Sequence, residues 1–461
     1  MNNLYELTIK KARDGLKNKS FSSAELIKSC LDRIKAVEPK IHAFVTVCDE
    51  AINYAKDENL PLRGIPISIK DNFCTVGLRT TASSNVLKDF IPPYDATVVA
   101  KLKAAGAVII GKTNLDAWAH GSSTETSDFG TTRNPWNIEH LPGGSSGGAA
   151  ASVAADEIIA AIGSETAGSI RQPADWCGVV GLKPTYGRVS RYGVVAMASS
   201  LDSPGPITKT VEDAAIILQI LAGKDSLDAT TLPNSPQDYL KDLDKKITGL
   251  KIGVPDEYFD GVTEQVRARV EDALKLLEKL GAKIIKIKLF KPEYAIAVYT
   301  ILQRAEVSSN LARYDGIRYG STRENFGEEA KRRIMLGTYA LSAGYWDQYY
   351  NKAQKVRTVI VEDFIRAFKE VDIIIAPTNP TTALPLGASK DNPMFGEMAD
   401  ALVEPSSIAG LPGINVPCGF SKEGLPVGFQ VIGPQLAETL ILNVAHQYQI
   451  NTDWRKEKPK L

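Results

Sequence analysis

Histidine is scarce in this chain, with four in 461 residues, at positions 42, 120, 140 and 446. Scattered in this way they offer no convincing zinc site. A hydrolase that relies on a histidine base would have to draw on His120 or His140, the two that fall near the serine-rich segments. Cysteine is sparse as well. Cys30, Cys48, Cys74, Cys177 and Cys418 form an odd-numbered set without metal-ligand spacing, which fits the reducing cytosol and free buried thiols. Net charge is absent, because 54 Lys and Arg balance 54 Asp and Glu, so no bulk field draws in nucleic acid. No apolar run approaches the roughly 18 residues that span a bilayer. The opening segment Met1–Glu6 shows no basic stretch followed by an apolar one, the pattern of a signal peptide. The expectation is a cytoplasmic protein with no membrane association. A short basic stretch, Arg455 to Lys460, reads as a frayed, solvated tail.

What is present is ordinary globular composition, 44% hydrophobic and 23% charged. Strand and helix patterns interleave along the chain. Ser22-Ser23-Ala24-Glu25 has the spacing of a capping box and opens a helix carrying Leu26, Ile27, Leu31 and Ile34. Residues 43–47 read as a strand. Ile65 to Lys70 alternates apolar with other residues, a strand that delivers Lys70 to its C-terminal edge. A helix is expected over 96–105, a buried strand over 107–110, and a strand–helix–strand unit over 250–287 with Gly281 as the helix C-cap. Val371 to Ala376 reads as a buried strand stopped by Pro377. With no internal repeat and no low-complexity linker, the pattern implies one large α/β sheet covered by helices.

One stretch departs from the average composition. Gly143 to Ala155 reads GGSSGGAAASVAA, a loop followed by a helix that other backbone can approach closely. Ser145 and Ser146 precede the helix start, where free N–H groups and the positive end of the dipole favour developing negative charge. An apolar strand, Ile158 to Ile162, leads into a second small-residue turn, GSETAGSIRQP, from Gly163 to Pro173, which contains Ser169. A single Gly/Ser/Ala run is most simply tight turning and close packing. Two such runs flanking a buried strand, with GLKPTYG after them, point instead to a site. The segment is not a phosphate loop, since Ala149 stands where the lysine is needed. Gly143 to Gly147 fits Gly-x-Ser-x-Gly, yet no hydrophobic strand precedes it as a nucleophile elbow requires.

Beyond these readings the chain resembles the amidase signature family, and within it the A subunits of glutamyl-tRNA(Gln) amidotransferases, the glutamine-hydrolysing components. The likeness rests on GIPISIKDN around Lys70, TNLDAWAHGSSTE from Thr113, RNPWN from Arg133, GGSSGG from Gly143 and GSIRQP from Gly168. It continues through CGVVGLKPTYGRVSRYG from Cys177, SNLARYDGIRYG from Ser309, KRRIMLGTYALSAGYWDQYY from Lys331, AGLPGINVPCG from Ala409 and TDWRKEKPKL at the end. These segments span nearly the whole chain and imply one amidase-signature domain over 1–461. That fold is a large mixed, twisted sheet covered on both faces by helices.

The resemblance also implies a Ser–Ser–Lys triad. Lys70 would be the base, Ser145 the bridging serine, usually preceded by a cis peptide, and Ser169 the nucleophile that forms an acyl-enzyme. The backbone N–H groups of Thr166, Ala167, Gly168 and Ser169 would form the oxyanion hole. A lysine serves as base only when neutral, and moving it from about 10.4 to near 7 requires about 4.6 kcal/mol of burial and neighbouring donors. Glu165 and Arg171 would support the nucleophile turn as an ion pair. The family usually has Asp at 165 and Gly at 167, so Glu165 and Ala167 are departures, and Ala167 would resist a positive φ. Tyr299, Arg333 and Asp400 would bind glutamine, Arg333 at the α-carboxylate and Asp400 at the α-ammonium. The segment between Tyr319 and Arg333 is shorter than is typical of these amidotransferase components. The implied function is glutamine hydrolysis that supplies ammonia to a B subunit. A C subunit would be a further partner, and tRNA would be contacted only indirectly. No cofactor is expected in this chain, and ATP and Mg are expected only on a partner. Two other readings stand beside it: a free-standing amidase acting on small aliphatic and aryl amides, and a catalytically inactive scaffold.

Overall fold

The structure is a computed structural model that describes residues 3–55, 59–318 and 321–461. Met1 and Asn2 of the opening segment, and Tyr319 at the head of the short segment, lie outside the described residues.

Eleven strands form one mixed sheet. In chain order they are β1 (Phe44–Val47), β2 (Pro66–Lys70), β3 (Val108–Thr113), β4 (Ala160–Glu165), β5 (Val180–Lys183), β6 (Ser203–Thr208), β7 (Lys251–Pro255), β8 (Lys283–Ile287), β9 (Ile373–Pro377), β10 (Gly413–Phe420) and β11 (Pro426–Ile432). Their order across the sheet is β1-β3-β2-β4-β6-β5-β10-β11-β9-β7-β8. Two parallel triplets, β3-β2-β4 and β9-β7-β8, flank an antiparallel middle. Every residue of β2, β3, β4, β5, β6 and β9 is buried. Because neighbouring side chains on a strand point to opposite faces, that burial requires cover on both faces, which the helices supply.

The local signals read from the sequence largely hold. Ser22 caps the helix Ser23–Ile41 with both halves of the capping box formed. The 96–105 pattern is the helix Thr97–Ala104. Gly281 lies one residue beyond the cap position, which Leu280 occupies. With φ +99°, Gly281 donates to the Glu278 carbonyl while Ala282 donates to Leu277, the pair of bonds that closes a Schellman motif. The strand after the alanine-rich helix is displaced towards the C-terminus. It spans Ala160–Glu165 rather than 158–162, so the expected turn starts later and Glu165 ends the strand.

The basic C-terminal stretch is not a frayed tail. Lys458 Nζ donates to both oxygens of Asp156, at 2.7 and 2.9 Å, and the Trp454 ring sits 6.2 Å from that of Phe420. A nearly buried acid, Asp156, meets both Lys458 and Lys209, and that contact ties the tail down. Among the described residues no helix is long and apolar enough to cross a membrane.

Candidate active site

The parallel triplet fixes the site. β2 lies between β3 and β4 in parallel register, Ile69 opposite both Lys112 and Ile162, so all three strands end at the same edge. In open α/β sheets that carboxyl edge is where ligands bind. It receives Lys70 from β2, residues 114–116 from beyond β3, and the turn 166–169 from beyond β4.

Lys70 is fully buried. Its Nζ lies 2.7 Å from Ser145 Oγ and donates to the Ser164 carbonyl at 3.0 Å. Burial pulls its amine down from 10.5 to about 7, against the pull of Asp116, Asp202, Glu165 and Asp400, which favour the charged form. A neutral fraction therefore exists at physiological pH, and a lone pair can face the Ser145 hydroxyl.

Ser145 follows a cis Gly144–Ser145 peptide, the feature expected before a bridging serine of this kind. The Gly144 N–H donates to Gln172 Oε1 at 2.8 Å, and the helix Gly147–Ala154 begins two residues after Ser145, all eight of its residues buried. The Ser146 N–H donates to the Ser169 carbonyl at 3.1 Å, so the two small-residue segments, far apart in sequence, are direct neighbours. Among the described residues no hydrogen bond joins Ser145 Oγ to Ser169 Oγ. Neither His120 nor His140 bonds to either serine; both ring nitrogens of His120 are buried without a partner.

The turn that carries Ser169 is held from beneath by the expected ion pair. Glu165 Oε1 accepts from Arg171 Nη2 at 2.6 Å and Nε at 3.0 Å, with both side chains fully buried. Glu165 Oε2 reaches past the turn to accept the backbone N–H groups of Ile170 and Arg171. Arg171 further binds Gln430, Ser406, Ser407 and the Val403 carbonyl, so its donors are committed to protein. Among the described residues the backbone N–H groups of Thr166, Ala167, Gly168 and Ser169 have no acceptor. Four adjacent uncommitted donors form a ready cradle for an oxyanion. Ala167 is absent from the positive-φ residues, so its methyl group costs the turn nothing in backbone conformation.

A small, nearly closed pocket lies beside Ser169, lined also by Met197, Tyr299, Arg333, Glu397 and Asp400. Tyr299 comes from the helix Pro292–Asn310, Arg333 from the helix Glu328–Ala340, and Asp400 from the end of the helix Phe395–Ala399. Burial works against the Arg333 charge, but the carboxylates of Glu329 and Glu397 outweigh it and hold the guanidinium protonated. Its neighbour Arg332 turns away to Glu329 and the Pro393 carbonyl, which settles which arginine faces the pocket. Asp400 Oδ2 accepts from Ser122 at 2.9 Å, while its buried Oδ1 has no partner. Burial pushes the Asp400 carboxyl well above the usual carboxylate range. It packs on the Ser169 turn so closely that a methyl group at Gly168 would sit 2.5 Å from Oδ1.

A family model described as Amidase matches residues 25–442. The chain belongs to the amidase family. Amide hydrolysis is thus its class of chemistry. This amidase is 53% identical to the glutamyl-tRNA(Gln) amidotransferase A subunit of Carboxydothermus hydrogenoformans, over 99% of this chain and 100% of that one. The crystal structure of the corresponding A subunit from Thermotoga maritima is similar with a TM-score of 0.86 and 46% identity, covering 96% of this chain and 94% of that one. The peptide amidase of Stenotrophomonas maltophilia matches with a TM-score of 0.85 at 29% identity, covering 98% of each chain.

Three polar groups of this amidase site escaped the sequence reading. Asp116 stands first among the carboxylates acting on Lys70. Asp202 accepts from Thr166 Oγ1 at 2.7 Å, with burial pushing its carboxyl up to about 6. Ser122 orients Asp400. Asp116 and Ser122 lie in the TNLDAWAHGSSTE segment, where a lone acid or serine has no spacing to mark it.

Proposed function

We propose that this chain is the glutamine-hydrolysing A subunit of a glutamyl-tRNA(Gln) amidotransferase, with Lys70, Ser145 and Ser169 as its catalytic triad. The observation that carries this reading is the single pocket lined by Ser169, Arg333 and Asp400. A nucleophilic hydroxyl beside the Arg333 cation and the acids Asp400 and Glu397 complements an amide whose far end bears a carboxylate and an ammonium, which is glutamine. Tyr299 forms part of the same wall.

In the proposed reaction neutral Lys70 takes the Ser145 proton and Ser145 takes that of Ser169, a contact that forms when substrate is seated. Ser169 Oγ attacks the side-chain amide carbon, and the oxyanion is received by the N–H groups of residues 166–169. The proton returns through Ser145 to the amide nitrogen, ammonia leaves, and water releases glutamate from the acyl-enzyme. The ammonia passes to a B subunit that amidates Glu-tRNA with ATP and Mg on that partner; a C subunit completes the assembly, and tRNA is contacted only indirectly. The relatives at about half identity support such an assembly, since they are themselves components of amidotransferases.

The test is ammonia release from glutamine and from simple aliphatic and aryl amides, by the chain alone and with B and C subunits, ATP and Glu-tRNA. Glutaminase activity raised by the partners, and abolished in Ser169→Ala, is the expected result. Vigorous turnover of simple amides by the lone chain would make it a free-standing amidase. Activity surviving in Ser169→Ala would remove the triad.

A further inference from the structure

Asp116 is fully buried just beyond β3, at the edge that also receives Lys70. All its hydrogen bonds come from residues 123–126: Oδ2 accepts from the Ser123 N–H at 3.1 Å, and Oδ1 from Thr126 Oγ1 at 3.0 Å and Ser123 Oγ at 3.4 Å. Its carboxylate presses on two glycines. A methyl group on Gly121 would sit 2.5 Å from Oδ1, and one on Gly144 would collide with Oδ2. Gly144 is the residue whose peptide bond leads into Ser145. The acid therefore fills the space against which the serine-bearing loop rests.

We propose that Asp116 is a positioning residue for the Lys70–Ser145 pair, seating the Gly144–Ser145 loop against the amine and supplying a buried negative charge beside it. The inference rests on the triad reading of the preceding subsection. Burial raises the Asp116 carboxyl above its ordinary range, and the donors of residues 123–126 oppose that rise by favouring the ionised form. The other acids facing Lys70 are Asp202, Glu165 and Asp400. Each is engaged by its own protein donors: Asp202 by Thr166 and the N–H groups of Met197 and Ala198, Glu165 by Arg171, and Asp400 by Ser122. Asp116 packs against Gly144 of the serine loop itself. Its charge holds back the full loss of basicity that burial alone would impose, leaving a base strong enough to draw a proton through Ser145.

The test is the pH profile of kcat/KM for the full-length chain in its assembly, on whichever amide it turns over. Asp116→Asn keeps the shape and removes the charge. With a buried anion gone, the charged lysine is disfavoured, so its acidic limb moves to lower pH, by about one pH unit for a charge several ångströms away. At the optimum kcat falls while KM for glutamine stays within about two-fold, because Asp116 is not part of the substrate pocket. Thr126→Val, which deletes one donor to Oδ1, shifts the limb the same way by less, and decides the matter if Asp116→Asn does not fold. An acidic limb unmoved in both variants, or a loss confined to KM, overturns the proposal. Full activity in Lys70→Met or Ser169→Ala would instead overturn the triad on which it rests.

Discussion

Replacing Lys70 by methionine should abolish amide hydrolysis and yet stabilise the fold at neutral pH. Among the described residues the amine has no carboxylate within ion-pair distance; it is held by a hydroxyl and a carbonyl and is neutral about half the time near pH 7. In the unfolded chain it titrates at its ordinary 10.5. A folded value below the unfolded one means that folding expels a proton between about 7 and 10.5. The penalty is therefore complete below pH 7 and fades as pH rises towards 10.5. At about 1.4 kcal/mol per pH unit it amounts to about 5 kcal/mol well below pH 7, about 4 kcal/mol at pH 7, where half of the folded amine is already neutral, and about 2 kcal/mol at pH 9. Methionine removes this penalty but leaves Ser145 Oγ without its partner, at about 1–3 kcal/mol, while the Ser164 carbonyl keeps the Ser146 hydroxyl at 3.2 Å. The net gain near neutrality is about 1–3 kcal/mol. The pH dependence is the sharper readout. Urea unfolding of wild type and Lys70→Met at pH 7 and pH 9 should show the advantage of the variant shrinking by about 2 kcal/mol at the higher pH. A stability difference that does not change with pH would mean that the amine titrates normally in the fold, and Lys70 could not then act as a base at pH 7.

Arg333→Ala should raise KM for glutamine about 10- to 100-fold, the loss of about 1.5–3 kcal/mol in charge-assisted hydrogen bonding, with little effect on an uncharged amide. The fold should survive, since Glu329 keeps Arg332 and Glu397 keeps Arg304; equal effects on both substrates in steady-state kinetics would remove Arg333 from carboxylate binding. Arg171→Met should cost about 3–5 kcal/mol in unfolding experiments, because it leaves Glu165 buried without a counter-charge. Adding Glu165→Gln should recover much of that loss, and no recovery would show that Arg171 acts through its bonds to Gln430, Ser406 and Ser407 instead.

The parts of the fold legible in the sequence were those with strong local patterns. Ile65 to Lys70 alternates cleanly and is β2, with the lysine at its end. The middle of the sheet carried no such signal. β6 contains Pro204 and Pro206, which cannot donate to a ladder, so its sequence argues against a strand. The structure accommodates them because β5 pairs β6 only through Ile207 and Thr208, leaving the proline stretch paired with β4 alone. In the site, the two serine segments stood out by composition and the geometry makes them neighbours. Tyr299, Arg333 and Asp400 come from three separate helices, and only likeness to a family pointed to them, since no spacing links them. Asp116 was missed because its role depends on what packs against Gly144, a tertiary contact.

Glu165 and Ala167, where the family resemblance implied aspartate and glycine, bear on the support of the Ser169 turn rather than on its donors. A glutamate at 165 is one methylene longer than the usual aspartate, and in this fold the length is used. One oxygen meets Arg171 and Ser407 while the other crosses beneath the turn to the N–H groups of Ile170 and Arg171. A carboxylate bound on both sides of the turn restrains residues 166–169 as a closed loop. Glycine at 167 would serve a turn that needs a positive φ, but this one does not, and Ala167 is buried with its carbonyl accepting from Ser407 at 2.6 Å. Ser407 thus grips both Glu165 and Ala167, and with the carbonyl side of the turn held in this way its N–H side stays free to face the pocket. The methyl group at 167 further narrows the backbone freedom of the unfolded turn, which favours the ordered cradle over a floppy one. The position that cannot accept a side chain is the next one, Gly168, where Asp400 and Val403 already fill the space.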